Sequence, residues 1–350
     1  MNFKYLDIHV QVKCISFCSS NFVAKSTEEV NCENTDIAEN KLINTNEKDE
    51  PDINKLIGNI FIGKIVKAEG NSTDIIIGKN IIGIFTINTK INKDIIIVPY
   101  HTIIEYPSND LNNDHLLCAI LRSLYESHLC LNSINIRNKL EYIAIFSNSI
   151  FEVLPLLKLL LKKKVFILIF LPNAHINQHE IQKKFEEFHI TNESIKEYVS
   201  TFDIDINVTE HVHNITNKCG IKNIIVYPNI NTNTSVLKKI IFTISALNSN
   251  LIFTYQFDYL NPYECKLLYD KSITMHFFNI NYYILYDYFK TADSFNFAIL
   301  SLLNKDIEFP SVSITKKCFS DLEEIFPLTP CSEPYTIYVN KNMEDQKSGP

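Results

Sequence analysis

The sequence predicts an α/β protein, a small β-barrel followed by a doubly wound parallel sheet. Three observations carry this. Residues 58–107 hold short isoleucine-rich strands separated by Gly or Asn turns at close spacing. From "NNDHLLCAILRSLYESHLCLNSI" onward the apolar period lengthens to about 3.6. Beyond residue 141, strand patterns alternate with helical ones. At 350 residues the chain is long enough for two packed domains, and 46% hydrophobic with 21% charged residues is ordinary for a globular protein.

In order, "YLDIHVQVKCISF" alternates and reads as a strand. Residues 26–52 carry nine acids against two lysines and read as a solvated loop or disordered insertion. The barrel region holds five of the seven glycines: Gly58, Gly63, Gly70, Gly78 and Gly83. Glycine there supplies positive φ or close strand approach. One or two helices follow, then strand 141–146, helix 153–163, strand 165–170 and helix 177–188. Residues 200–217 read as irregular. Strand 222–228, helix 234–247, and strands 250–256 and 272–280 come next, before a helix in "YYILYDYFKTADSFNFAILSLLN" and a closing strand "YTIYV". The aromatic-rich stretch from Phe253 to Phe289 reads as core and subunit interface, with a quinone-stacking pocket or partner surface as the other reading.

Charge and cysteines narrow the function. A net charge of −7 with two arginines, Arg122 and Arg137, argues against a nucleic-acid partner. Nine scattered cysteines without a C-x-x-C pair fit a reducing compartment. The apolar run Val153–Leu171 is interrupted by Lys158 and Lys162–Lys164, too charged for a membrane span. No signal-peptide pattern precedes the Asn-x-Ser/Thr triplets, so the expected location is cytoplasmic.

Several stretches resemble the medium-chain dehydrogenase/reductase superfamily, in its zinc-free quinone oxidoreductase branch. "VQVKCISFCSSN" resembles that family's early strand and turn, and "GNIFIGKIVKAEGNSTDIIIGKNIIGI" its glycine-punctuated barrel run. "IIVPYHTIIEYP" and "ILRSLYESHL" are similar to the segments that follow. The likeness runs over about residues 8–340, the acidic insertion excepted. It implies a GroES-like β-barrel domain plus a Rossmann doubly wound parallel sheet. The expected boundaries are 1–120 for the barrel domain (26–56 the acidic insertion), 121–285 for the Rossmann-like domain, and 286–350 for a C-terminal helix and strand returning to the barrel domain.

The resemblance also places a nucleotide loop in "YIAIFSNSIFEVLPLLKLLLKKKVFILIF". The family has G-x-x-G-x-x-G there; this chain has Phe146, Ser149 and Glu152. Glycines serve the sharp turn, the approach of backbone to phosphate, and helix–strand packing. Phe146 and Ser149 are expected to put Cβ atoms, and Glu152 a carboxylate, where the pyrophosphate would lie. At about 4 Å two like charges repel by ~1–4 kcal/mol. The degenerate loop Ser147, Asn148, Ser149 and Ile150 is the candidate cofactor-binding segment. After "FILIFLPNAH", Leu171, Pro172 and Asn173 offer neither an acid for a ribose nor a base for a phosphate. Lys162–Lys164 are expected to be solvated cations at a helix C-terminus. The loss is not uniform, since residues 84–219 lack glycine while the barrel keeps it.

No metal is expected. Of the family's zinc positions Cys18 matches the first, Gly58-Asn59-Ile60 replaces Gly-His-Glu, and the third falls near Ala119, with Cys118 expected to point elsewhere. His211, His213 and Cys219 would share a face if "TEHVHNITNKCG" were a strand; loop histidines are the preferred reading. Two readings follow. The first is a catalytically degenerate subunit or scaffold without cofactor, acting through protein partners or a homodimer. Relatives among the quinone oxidoreductase-like proteins belong to an endosome-associated Rab-effector assembly called FERRY. The alternative is an NADPH-dependent quinone or enone oxidoreductase with an atypical cofactor loop. The family resemblance also implies dimerisation through the sheet edge at "SITMHFFNI".

Overall fold

The computed structural model describes residues 7–17, 59–69, 76–86, 88–106, 111–134, 136, 141–204, 207–227, 234–254, 259–278, 288–304, 306–307, 315–319 and 336–341. The acidic segment 26–52, Cys18, Gly58 and Gly70 lie outside the described residues.

β1 (Asp7–Phe17) is the seam of the first sheet. Ile8, Val10 and Val12 are buried while His9, Gln11 and Lys13 between them are only partly so, the period-2 pattern of a half-buried strand. One edge of β1 is shared. Asp7–Gln11 pair with β5 (Ile95–Pro99) and Cys14–Phe17 with β14 (Thr336–Asn340). Its other edge pairs with β2 (Ile60–Ala68), which continues to β3 (Asn80–Ile84) and β6 (Ile103–Glu105). β4 (Lys90–Asn92) pairs with β5, and β13 (Thr315–Phe319) runs parallel to β14. Register shifts in the β1–β2 pairing at His9/Val10 and Val12/Cys14 bend and twist the sheet. Phe61, Phe85, Ile81, Ile96 and Val98 fill its interior. Gly63 faces Val12 so closely that a Cβ would stand 2.4 Å from the Gln11 carbonyl oxygen. Gly83 lies under the Phe61 ring.

α1 (Leu111–Asn132) is one continuous helix. A six-stranded sheet follows, in spatial order β12 (Thr274–Phe277), β11 (Ser245–Phe253), β10 (Ile221–Val226), β7 (Tyr142–Phe146), β8 (Phe166–Leu171), β9 (Val199–Asp203), with every pairing parallel. Successive strands move outward from β7 to β9, then restart beside β7 with β10. The order therefore reverses at β7. α2 (Ile150–Leu161) and α1 pack against Ile143, Ile145, Ile167 and Ile169 on one face. α5 (Val208–Ile215) and α6 (Thr234–Ile244) pack against Ala144, Phe146, Leu168 and Phe170 on the other. α3 (Gln178–Glu187), α4 (Asn192–Tyr198), α7 (Pro262–Asp270) and α8 (Tyr288–Leu303) complete the helices. The chain is thus α/β, with a GroES-like, mainly antiparallel sheet and a Rossmann-like parallel one.

The segment expected to be irregular, 200–217, instead contains β9 and α5. α4, α7 and β13 are further elements that the periodicity did not mark. α2 begins at Ile150, three residues earlier than expected, because Ser149 caps it.

Candidate functional site

The loop between β7 and α2 sits at the carboxyl edge of the parallel sheet, where strand order reverses. Open α/β sheets bind ligands at such a point. Ser147 is fully buried, and its N–H donates to the Phe170 carbonyl at 3.1 Å. Its Oγ accepts from the Ser149 N–H at 3.2 Å. The Ser147 hydroxyl has two acceptors in reach, the Ser149 carbonyl at 2.9 Å and Glu152 Oε2 at 2.6 Å. A hydroxyl has one hydrogen to give. An ionised Glu152 takes it; a protonated Glu152 donates to Oγ instead and turns the hydroxyl toward the carbonyl. Ser149 accepts from the Phe151 N–H at 3.3 Å, the N-cap of α2. Asn148 is exposed and Ile150 is buried.

Glu152 stands in the first turn of α2, half-buried. Burial pushes its carboxyl above the ordinary value, the Ser147 hydrogen bond opposes this, and the Glu126 carboxylate adds to it. Glu126 is held by Arg122 Nε at 2.8 Å, and Arg122 Nη1 donates to Asn59 Oδ1 at 3.2 Å. Tyr227 follows β10, and its N–H donates to the Phe146 carbonyl at 2.8 Å. Its hydroxyl hydrogen-bonds Ser127; burial first, then Cys130, Glu152 and Glu126, push it well above the usual phenol value.

One expectation is corrected here. Phe146 does not obstruct the crevice. Its ring is fully buried on the face opposite α2 and stacks on Phe170 at a 4.6 Å centroid distance. Phe170 in turn stacks on Phe202 at 5.5 Å. Register explains the row: Phe146, Phe170 and Phe202 are successive partners across β7, β8 and β9. A glycine at position 146 would leave a gap in that layer. Glu152, by contrast, turns toward the loop and meets the Ser147 hydroxyl.

Leu171 ends β8 buried, and beyond it Ala174 is buried and Asn173 adopts φ 54° in a tight turn. The polar pair at this edge comes from elsewhere. His175 Nδ1 is hydrogen-bonded to Asp203 Oδ2, and the His175 N–H donates to Asp203 Oδ1 at 3.4 Å. Asp203 ends β9, inside the stretch that the sequence left irregular, so the pairing had no sequence signal. Lys162 caps the far end of α2 and donates to the Asp306 carbonyl at 3.0 Å.

At the zinc positions Asn59 and Ala119 are buried. The Cys118 thiol turns to β1 and β2. Its Sγ donates to the Ile60 carbonyl at 3.6 Å, beside Cys14 and Ser16, and burial pushes the thiol well above its ordinary value. His211 and His213 lie on the helix α5, so the shared strand face does not exist. Among the described residues no group of three His, Cys, Asp or Glu is placed to hold a metal. No described helix is long and apolar enough to cross a membrane.

No protein-family model matches the sequence, and no curated protein matches it. Solved structures do. The Escherichia coli quinone oxidoreductase complexed with NADPH is similar at TM-score 0.61 and 11% identity, covering 95% of this chain and 91% of that one. The quinone oxidoreductase of Pseudomonas syringae pv. tomato is similar at TM-score 0.60 and 10% identity, with 95% and 91% covered. The CurF ER cyclopropanase of curacin A biosynthesis reaches TM-score 0.62 at 12% identity, again over 95% and 91%. At these identities the likeness establishes the fold alone.

Proposed function

We propose that this chain is a zinc-independent reductase that takes a reduced nicotinamide dinucleotide at the β7–α2 edge and passes hydride to a quinone or enone. The observation that carries the reading is the position of Phe146. With its ring in the core, the loop of Ser147, Asn148, Ser149 and Ile150 keeps its backbone at the N-terminus of α2 without a side-chain plug from that residue. A helix N-terminus favours an anion such as a pyrophosphate. Glu152 opposes it when charged, and burial lowers its tendency to be charged. The likeness to quinone oxidoreductases, one of them an NADPH complex, supports the same reading. When bound, the dihydronicotinamide supplies the hydride; the chain contributes binding and orientation. The test is oxidation of NADPH or NADH by a soluble benzoquinone, or by an enone, with purified protein. Acceptor-dependent oxidation is expected. Its absence with both nucleotides and both acceptor classes overturns the reading.

A second reading is favoured by the Ser147–Glu152 hydrogen bond, 2.6 Å long, which puts the chain's own carboxyl where an anion would bind. On it the chain is a non-catalytic subunit or scaffold, resembling quinone oxidoreductase-like protein 1, with a homodimer or a FERRY-like assembly as partner. Nucleotide binding that saturates below millimolar concentration excludes it. A cytoplasmic location accompanies either reading and is tested by imaging the tagged chain.

A further inference from the structure

Glu152 is the acidic residue of the first turn of α2, and the next charged residue on that helix is Lys158, near its other end. The Glu152 carboxyl is tied into the loop by the Ser147 hydroxyl at 2.6 Å, and Ser147 in turn accepts from the Ser149 N–H. Charged and titratable groups face it from the elements packed around it. From α1 comes Glu126, whose Oε1 accepts from Arg122 Nε at 2.8 Å, so that guanidinium is already engaged. From the end of β10 comes the Tyr227 hydroxyl, hydrogen-bonded to Ser127. From α3 comes Lys184, which lies 4.6 Å from the centroid of the Phe151 ring and pairs with Glu187 at 2.7 Å. A pyrophosphate arriving at the N-terminus of α2 would add negative charge beside this carboxyl and the Glu126 carboxylate.

Resting on the nucleotide reading above, we propose that Glu152 takes up a proton from solvent when the dinucleotide binds, so that nucleotide affinity falls as pH rises. A nearby anion disfavours the charged carboxylate, so the complex holds that proton more tightly than the free chain. Affinity is therefore highest and level where the free chain is already protonated. It falls as pH passes from the free chain's value to that of the complex, and levels off where both are ionised. Burial already pushes the free carboxyl above its ordinary value, the Ser147 hydrogen bond opposes this and Glu126 adds to it, which moves the window toward neutral pH. Once protonated, Glu152 donates to Ser147 Oγ, and the Ser147 hydroxyl turns to the Ser149 carbonyl at 2.9 Å. The loop then meets the pyrophosphate without a charge of its own at that residue.

The experiment is calorimetric titration of the full chain with NADH, whose pyrophosphate stays charged throughout, from about pH 6 to about pH 9 in two buffers of different ionisation enthalpy. In the wild type the heat is expected to depend on the buffer with the sign of proton uptake, and affinity to fall about tenfold or more over the range. In Glu152→Gln the uptake is expected to vanish and affinity to stay level with pH. Glu126→Gln is expected to keep the uptake. Wild-type binding without proton uptake, uptake that survives in Glu152→Gln, or uptake lost in Glu126→Gln overturns the inference and leaves the nucleotide reading standing. Where NADPH alone binds, the uptake of the wild type in excess of that of Glu152→Gln decides in the same way, since the 2'-phosphate contributes equally to both. Binding of neither nucleotide overturns both. Should Glu152→Gln fail to fold, Glu152→Ala takes its place, and a wild type that binds without uptake overturns the inference by itself.

Discussion

The Ser147 hydroxyl lies 2.6 Å from Glu152 Oε2, closing the loop that leads from β7 into α2 with a hydrogen bond of its own. The carboxyl it meets is pushed above its ordinary value by burial. The folded chain therefore holds that proton more tightly than the unfolded chain. Its contribution to stability is complete below the ordinary value of 4.5 and is lost as pH rises through the raised one. Against Glu152→Gln, which cannot titrate, the wild type is expected to lose relative stability over that rise. Urea unfolding of both proteins from about pH 4 to pH 7 measures the difference. A wild type that gains on the variant as pH rises would contradict the assignment.

Phe146 belongs to the core layer with Phe170 and Phe202. Phe146→Ala is expected to cost about 3–5 kcal/mol of stability through the cavity it leaves. Because the ring lies on the far face, nucleotide affinity should not improve. Urea denaturation gives the first quantity and calorimetry the second. A stable variant with stronger nucleotide binding would restore the ring to the crevice.

Lys238 and Glu264 form a buried ion pair at 3.4 Å between α6 and α7. Lys238 Nζ also donates to the Tyr259 carbonyl at 2.6 Å, and Glu264 completes the capping box of α7 with Asn261. Removing one partner strands a buried charge. Lys238→Met is expected to destabilise by about 3–5 kcal/mol. Lys238→Met with Glu264→Gln should recover part of that loss, which a double-mutant cycle of thermal melts reads directly.

The parallel sheet was legible because its central strands are continuous apolar runs and its longer helices show a clear period. β9 was not. It is an edge strand whose residues are only partly covered, so no strong alternation marks it. α5 has eight residues and buries Val208 and Val212 alone within them, too short for a period to show. Asp203 was lost with that segment. The residue type at position 146 was plain, but its direction was not. Either face of the parallel sheet is a core face, so alternation could not say which one receives Phe146.

The most direct test is calorimetric titration of NADH and NADPH into the wild type and into Glu152→Gly, which removes the carboxyl and its Cβ together. Saturable binding in the wild type, strengthened roughly tenfold or more in the variant, is the predicted result. Two folded proteins that take up neither nucleotide at millimolar concentration would contradict it.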